Sequence, residues 1–567
     1  MIQLKWLFTI SSILWLTLFH AQYKIEKKNL TKTNYEFWDK NKTKIKSSGR
    51  FYKDKVNRTN KKHGVWRFYS KDGVLEDEIE YYIDSIHGKY LSFWDGKKIK
   101  KESYYYLGIP DSIYKEFNEQ GVLVLDGFFD YGKKADVWYY YYENGKPKLE
   151  EKYVLGIPLI QNFWMNDSIH TQTIKDGNGS TTSYFKSGKI KEVFQVQNGL
   201  KNGPFKEYSA RGALLVDGIF KNGFKDSCWI TYYTNERAEK MACYKQDTLF
   251  GEYITYYEDG TVKVAGFFDK GKKIGKWQWY SENGKIDSEG SFVNDFQEGE
   301  WKYYFQSGEI SYVANYKQGL KEGEWNYYYT KQKPFKRGNY TKDLKEGLWR
   351  TWYETGILLM EGNFKNDEEI GEWKNYWENG KIKNITTFSN GKLHGDWKSY
   401  SPYGKLKVEG KYENDLQVGK WTEWYENGRV KEIINYKVIK KKSKANDVVL
   451  KGRVRRVSVK HGEFVTFSNK DFQITEIGKY KKGEKDGTWL AYHQGGRIVA
   501  VQNQYKNGKL DGTTKQFDRK GKIIQTSTYK NGLLHGSMRF YNEKGKLTKE
   551  YFFKNGQKVS NEIQFKP

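Results

Sequence analysis

Histidine is the side chain most often enlisted for metal binding and for proton transfer near neutral pH, and this 567-residue chain carries eight of them. Five, His63, His87, His394, His461 and His535, each stand immediately before a glycine. That regularity marks a recurring position beside a turn rather than a ligand set. No His-Glu-x-x-His motif and no close Cys/His cluster is present, so no metal site is expected. No nucleophile motif singles out a Ser, Cys and His set, and the many Glu residues read as cross-strand partners of Lys. Nothing in the sequence points to a carboxylate pair for glycoside hydrolysis. The expectation is a protein with no catalytic residue and no cofactor.

The remaining chemistry is cationic, aromatic and thiol. The net charge is +28, and one segment concentrates it: KVIKKKSKANDVVLKGRVRRVSVK, residues 437–460, holds Lys440, Lys441, Lys442, Arg453, Arg455 and Arg456, with Asp447 as its single acid. Two readings stand: an exposed loop, or a contact for a polyanionic glycan, acidic lipopolysaccharide or an acidic protein. Aromatic residues make up 17% of the chain and only 7 residues are Pro, a composition of many short strands and tight turns, with too many rings for disorder.

These residues are positioned by a repeat. From Gly203 a register of glycines runs through 251, 275, 299, 323, 347, 371, 395 and 419, a spacing of 24 with Ser227 as the one replacement in phase. Earlier copies begin at Gly64, Gly88, Ser112, Asp136 and near Ile160; others begin at Gly179, Gly462, Gly487, Gly512 and Gly536, with a worn copy around Trp38. With the leading glycine as position 0, position +9 is commonly Gly preceded by Asn, as in Asn283-Gly284, Asn379-Gly380 and Asn427-Gly428. Asn-Gly between strand-like runs predicts a two-residue type I′ turn, so each copy is a β-hairpin whose facing residues have offsets summing to 17.

Alternation then sorts the faces. One carries Trp at +2: Trp277, Trp301, Trp325, Trp349, Trp373, Trp397 and Trp421. Within its own hairpin each faces position +15, where Gly290, Gly338, Gly362 and Gly410 recur; an aromatic covering bare strand backbone is the expected core device. The other face is polar except at +5, where Tyr280, Tyr304, Tyr328, Trp352 and Trp424 are the candidates for an exposed, partner- or sugar-stacking ladder. One such hairpin is marginal alone, so neighbours must continue the sheet. The predicted fold is all-β: an elongated array of about 20 antiparallel hairpins forming a twisted single sheet or half-pipe.

Cys228 and Cys243, the only cysteines, have offsets +1 and +16 in the copy at Ser227. The hairpin rule sets them opposite each other, within disulfide reach; against this, Glu236 replaces the usual turn glycine, and a local bulge there would shift the register. Lys5, the apolar run from Trp6 to Phe19 and then His20-Ala21-Gln22 read as a signal peptide cut before Gln22, with an uncleaved anchor as the alternative. No later segment has the roughly 18 apolar residues of a membrane helix, so no transmembrane segment is expected in the mature chain. Export would permit the disulfide and argues against a nucleic-acid partner. The organisation expected is a signal peptide at 1–21, an N-terminal segment at 22–60, repeats at 61–160, an irregular joint at 161–178, repeats at 179–436, the basic insertion at 437–460 and repeats at 461–567.

The spelling Gly-x-Trp-x-x-Tyr-Tyr-x-Asn-Gly-Lys resembles the MORN repeat in its bacterial variant form, over roughly residues 61–567; chains of this kind carry a YwqK-like antitoxin family label. The resemblance implies a non-enzymatic hairpin array serving as a scaffold or partner-binding groove. The functional expectation is an exported protein, periplasmic, outer-membrane-associated or secreted, that binds a protein or envelope component. The alternatives are an envelope carbohydrate-binding protein using the +5 aromatics, and an antitoxin or immunity-type protein.

Overall fold

The computed structural model describes residues 29–54, 58–442 and 454–565; the expected signal peptide and Arg453 lie outside them. Among the described residues there are 46 strands and no α-helix, the strands pairing antiparallel in successive hairpins. The chain divides into two compact units, Met1–Lys272 and Lys273–Pro567.

The turns are distributed differently from the expectation. At the +9 glycine only one residue takes positive φ, as with Gly284 at 78°. Ser281 N–H bonds Lys285 O (2.9 Å) and Gly284 N–H bonds Ser281 O (2.9 Å), a type I turn followed by a left-handed glycine. Asn283 is there for its side chain, which accepts from Lys285 N–H at 3.1 Å. The extra residue slips the ladder, so Ile286 pairs with Tyr280 rather than Ser281. The two-residue type I′ turns sit instead between copies, where both central residues have positive φ: Asn294 52° and Asp295 71°, Asn366 51° and Asp367 67°.

A second bulge lies between copies. Strand Ile286–Val293 pairs Glu289 with Lys302 and then Ser291 with Glu298, so Gly299, Glu300 and Trp301 all oppose Gly290. Gly299 makes this possible at φ 71°, a left-handed conformation that Ser112, Asp136 and Ser227 are also made to adopt (φ 67°, 56° and 59°). The bulge swings Trp301 over the bare backbone of Gly290, where a Cβ would overlap the indole, and its Nε1–H donates to Ser291 O at 3.2 Å. The same placement puts Trp138 on Gly127, Trp229 on Gly218, Trp349 on Gly338, Trp373 on Gly362, Trp421 on Gly410 and Trp489 on Gly478. Each tryptophan therefore covers the glycine of the preceding copy. Backbone register does set Trp277 against Gly290, Trp325 against Gly338, Trp349 against Gly362 and Trp397 against Gly410 within one hairpin, but the ring contact runs to the next. Trp397 follows Thr386 instead of a glycine, pairs with it directly, and is only half-buried.

The core is thus a row of rings held between copies. Trp301, Trp325, Trp349 and Trp373 are buried with Ala314, Tyr340 and Phe364. The ring at +17 meets the next tryptophan edge-on: Phe292 to Trp301 at 5.1 Å, Tyr340 to Trp349 at 5.1 Å, Phe364 to Trp373 at 5.0 Å. A lysine at −2 caps the ring from the same face: Lys134 lies 4.1 Å from Trp138, Lys225 4.6 Å from Trp229 and Lys485 3.7 Å from Trp489. Part of the positive charge therefore belongs to the core face.

In the N-terminal unit the lapse near residues 161–178 shapes the sheet. Strand Gln172–Lys175 is short, making two pairs with each neighbour. The longer strands around it close over its end: Ile160 N–H bonds Gly199 O at 2.8 Å and Gly199 N–H bonds Gly177 O at 2.9 Å. One edge is shortened there while the hairpin-turn edge is not, which favours a bend, and residues from copies far apart in sequence, Glu76 to Lys191, line one concavity.

Candidate functional site

The bend opens a groove of about 1600 Å³ in the N-terminal unit, lined by residues from Glu76 to Lys191. Tyr90, Ser92 and Glu116 enter it from the tryptophan face, and Trp94, Tyr142 and Phe185 from the hairpin-turn ends. The turn-end aromatics are fixed by a recurring bond to the following copy: Trp94 Nε1–H donates to Phe117 O at 2.9 Å and Tyr142 O–H to Trp164 O at 2.7 Å. The same bond joins Tyr353 to Tyr376 O and Trp377 to Tyr400 O in the C-terminal unit. Across the mouth Lys186 Nζ meets Glu143 Oε1 at 2.8 Å, both largely exposed. Asp167 accepts from Thr171 side chain and backbone, which holds its carboxyl below the usual range and ionised.

At several of the five histidines the position before the leading glycine has a structural task. His87 Nδ1 accepts from Leu107 N–H at 3.3 Å and His461 Nδ1 from Lys482 N–H at 3.5 Å, where other copies use a carboxylate: Glu298 accepts from Gln318 N–H and Glu346 from Asn366 N–H, at 2.8 and 3.1 Å. Imidazole and carboxylate are interchangeable here as acceptors. Burial pushes the His63 and His87 pKa values down, against the opposing pull of Glu80.

The +5 side chains Tyr280, Tyr304, Tyr328, Trp352 and Trp424 are half-buried, not an exposed ladder. Where the preceding copy carries an acid at +14, the +5 hydroxyl is tied down to it. Tyr304 O–H donates to Glu289 at 2.7 Å and Tyr376 O–H to Glu361 at 3.0 Å. Burial raises the Glu289 carboxyl, but hydrogen bonds from Lys276, Tyr304 and Gln278 outweigh it and hold it below the usual range.

The basic segment is not simply a loop. Its flanks prolong the array as strands Val430–Lys442 and Val454–Phe467, pairing Lys440 with Arg456, Lys441 with Arg455 and Lys442 with Val454. Lys440, Lys441, Arg455 and Arg456 are exposed; like charges face each other directly, an arrangement that costs stability. One is compensated, Arg456 bonding Glu413 at 3.2 Å, and Ser458 Oγ donates to Gln417 O at 2.7 Å.

Cys228 and Cys243 stand opposite in the ladder and are joined by a disulfide. Glu236 accommodates the turn glycine's role by taking φ 65°, so the register is kept.

The groove itself was missed from sequence, since the run between Asn162 and Asn178 reads only as an interruption. The signal that did exist for the core was overlooked: a glycine at +15 is followed, in the next copy, by a tryptophan at +2, as in Gly127 and Trp138, Gly218 and Trp229, or Gly338 and Trp349.

The MORN repeat variant matches the chain at residues 62–83, 137–154, 251–270, 273–294, 297–318, 345–366, 369–390, 393–414, 417–437, 510–531 and 534–555. No curated protein matches it. Solved structures similar over most of its length include the TcdB2–TccC3–Cdc42 complex, at 10% identity, covering 91% of this chain and 30% of that one with a TM-score of 0.13. Another is the Photorhabdus luminescens Tc holotoxin pore, at 10% identity, 89% and 33% coverage and a TM-score of 0.12. The chain spans about a third of the length of these proteins, and TM-scores so low carry no inference about it. The chain thus carries the MORN repeat variant in eleven segments distributed along its length.

Proposed function

We propose that the chain is a non-enzymatic, exported repeat protein that acts as a scaffold in the cell envelope, holding a protein or other envelope component in the groove of its N-terminal unit. The observation that carries this reading is the groove, whose lining is drawn from many successive copies and whose turn-end aromatics are locked by copy-to-copy hydrogen bonds. A wall fixed in this way binds without reorganising, which lowers the ordering cost of association. The Cys228–Cys243 disulfide supports an oxidising compartment, in keeping with the apolar N-terminal run. A pull-down from envelope extract with the mature chain tests the reading. A partner retained by the native protein and lost with Trp94→Ala supports it; a partner retained equally by both contradicts the groove as its site.

A further inference from the structure

We infer that the occupant of this groove is a neutral glycan chain; the inference rests on the groove being the binding site. The first argument is size. At about 1600 Å³ the groove exceeds the roughly 300–1,000 Å³ of a small-molecule pocket and is open along several copies, so it suits a polymer segment.

The second is charge. The protein carries +28, yet this groove is balanced, with five carboxylates (Glu76, Asp77, Glu116, Glu143 and Asp167) and five lysines among its lining residues. A polyanion would meet five repelling groups there and has the basic strands Val430–Lys442 and Val454–Phe467 as a better surface.

The third is the kind of contact on offer. Trp94 and Tyr184 line the groove and are 40% and 48% exposed; Trp94 is held by its bond to Phe117 O, with Lys100 Nζ 4.5 Å from its ring. Their flat faces match the C–H faces of pyranose rings, while carboxylates and ammonium groups beside them accept from and donate to hydroxyls. Asp77 already shows this geometry with a protein hydroxyl, accepting from Tyr90 O–H at 3.0 Å. A polypeptide adding as a strand would instead need free backbone groups, and those of strands Ile99–Tyr106 and Ile109–Phe117 are engaged in ladders on both sides.

Calorimetric titration of the full mature chain with chitohexaose, cellohexaose and maltohexaose as neutral probes, and polygalacturonate as a polyanion, tests this. At least one neutral hexaose binds, with affinity changing less than about twofold between roughly 50 and 500 mM salt. Tyr184→Ala and Trp94→Phe each weaken that binding by about tenfold with an unchanged circular dichroism spectrum, and Trp352→Ala leaves it unaltered. Binding of none of the neutral probes, binding of polygalacturonate alone, or neutral binding indifferent to both groove variants overturns the inference. If no glycan binds but an envelope protein is captured in a Trp94-dependent way, the glycan assignment falls and the groove stands; if capture is independent of Trp94 as well, both fall.

Discussion

Trp349 lies across the backbone of Gly338, a residue of the preceding copy, so closely that a Cβ on Gly338 would overlap its indole, while Trp325, the residue paired with Gly338 in its own hairpin, sits over Ala314's copy and donates to Asn315 O at 3.1 Å. Copies are therefore stapled to their neighbours, and this decides which pairs of substitutions interact. Gly338→Ala is expected to cost about 1–3 kcal/mol by overpacking and Trp349→Ala about 3–5 kcal/mol. The two are strongly non-additive, because removing the indole clears the clash. Gly338→Ala with Trp325→Ala is close to additive. Denaturant titration of all the variants checks this, read at the transition of the C-terminal unit since arrays need not unfold in one step.

Trp325 is 4% exposed and Tyr328 half-buried on the opposite face. Trp325→Ala should destabilise by about 3–5 kcal/mol and Tyr328→Ala by far less. Equal losses in the same titration would mean that the polar face carries as much of the packing as the tryptophan face.

Glu236 occupies the turn position filled by glycine in most copies and is held at φ 65°. Glu236→Gly relieves that conformation and is expected to stabilise its hairpin by up to about 1 kcal/mol. Hydrogen-exchange protection of strands Phe224–Tyr232 and Ala238–Lys245, measured with the disulfide intact, reports the gain.

The buried His63 and His87 have pKa values lowered by desolvation. The unfolded chain then binds more protons than the folded one as pH falls, so their contribution is fully present above about pH 6.5 and is lost below it. Thermal melts of the native protein should show stability declining as pH falls from about 6.5, and His87→Gln, which keeps an acceptor for Leu107 N–H, should flatten that decline. An unchanged pH profile in the variant would show that His87 is not its source.

How much of this was readable beforehand follows from what sequence periodicity encodes. The 24-residue phase and the alternation of Trp277 with polar neighbours specify strands, faces and the core row, because a period-2 pattern has only one sheet solution. The Cys228–Cys243 opposition follows from the same counting. The turn types were exchanged because Asn-Gly suits a type I′ turn by backbone preference, whereas Asn283 serves through its side-chain oxygen. The bulge at Gly299 was invisible for a related reason: a glycine in a strand announces freedom of φ but not which partner residue is skipped. The half-buried state of Tyr304 depends on Glu289 of another copy, and the groove depends on a short strand, Gln172–Lys175; both are relations between copies, on which an intra-copy pattern is silent.

The claim that the groove of the N-terminal unit is the working surface is tested most directly by site-specific photo-crosslinking in the native compartment. A benzophenone side chain at Asn166, exposed in the groove lining, is compared with one at Tyr139, 40% exposed and on the opposite face of the sheet from Trp138. The account predicts a discrete adduct from the Asn166 position and none from Tyr139. Adducts from Tyr139 alone, or identical adducts from both, would contradict it.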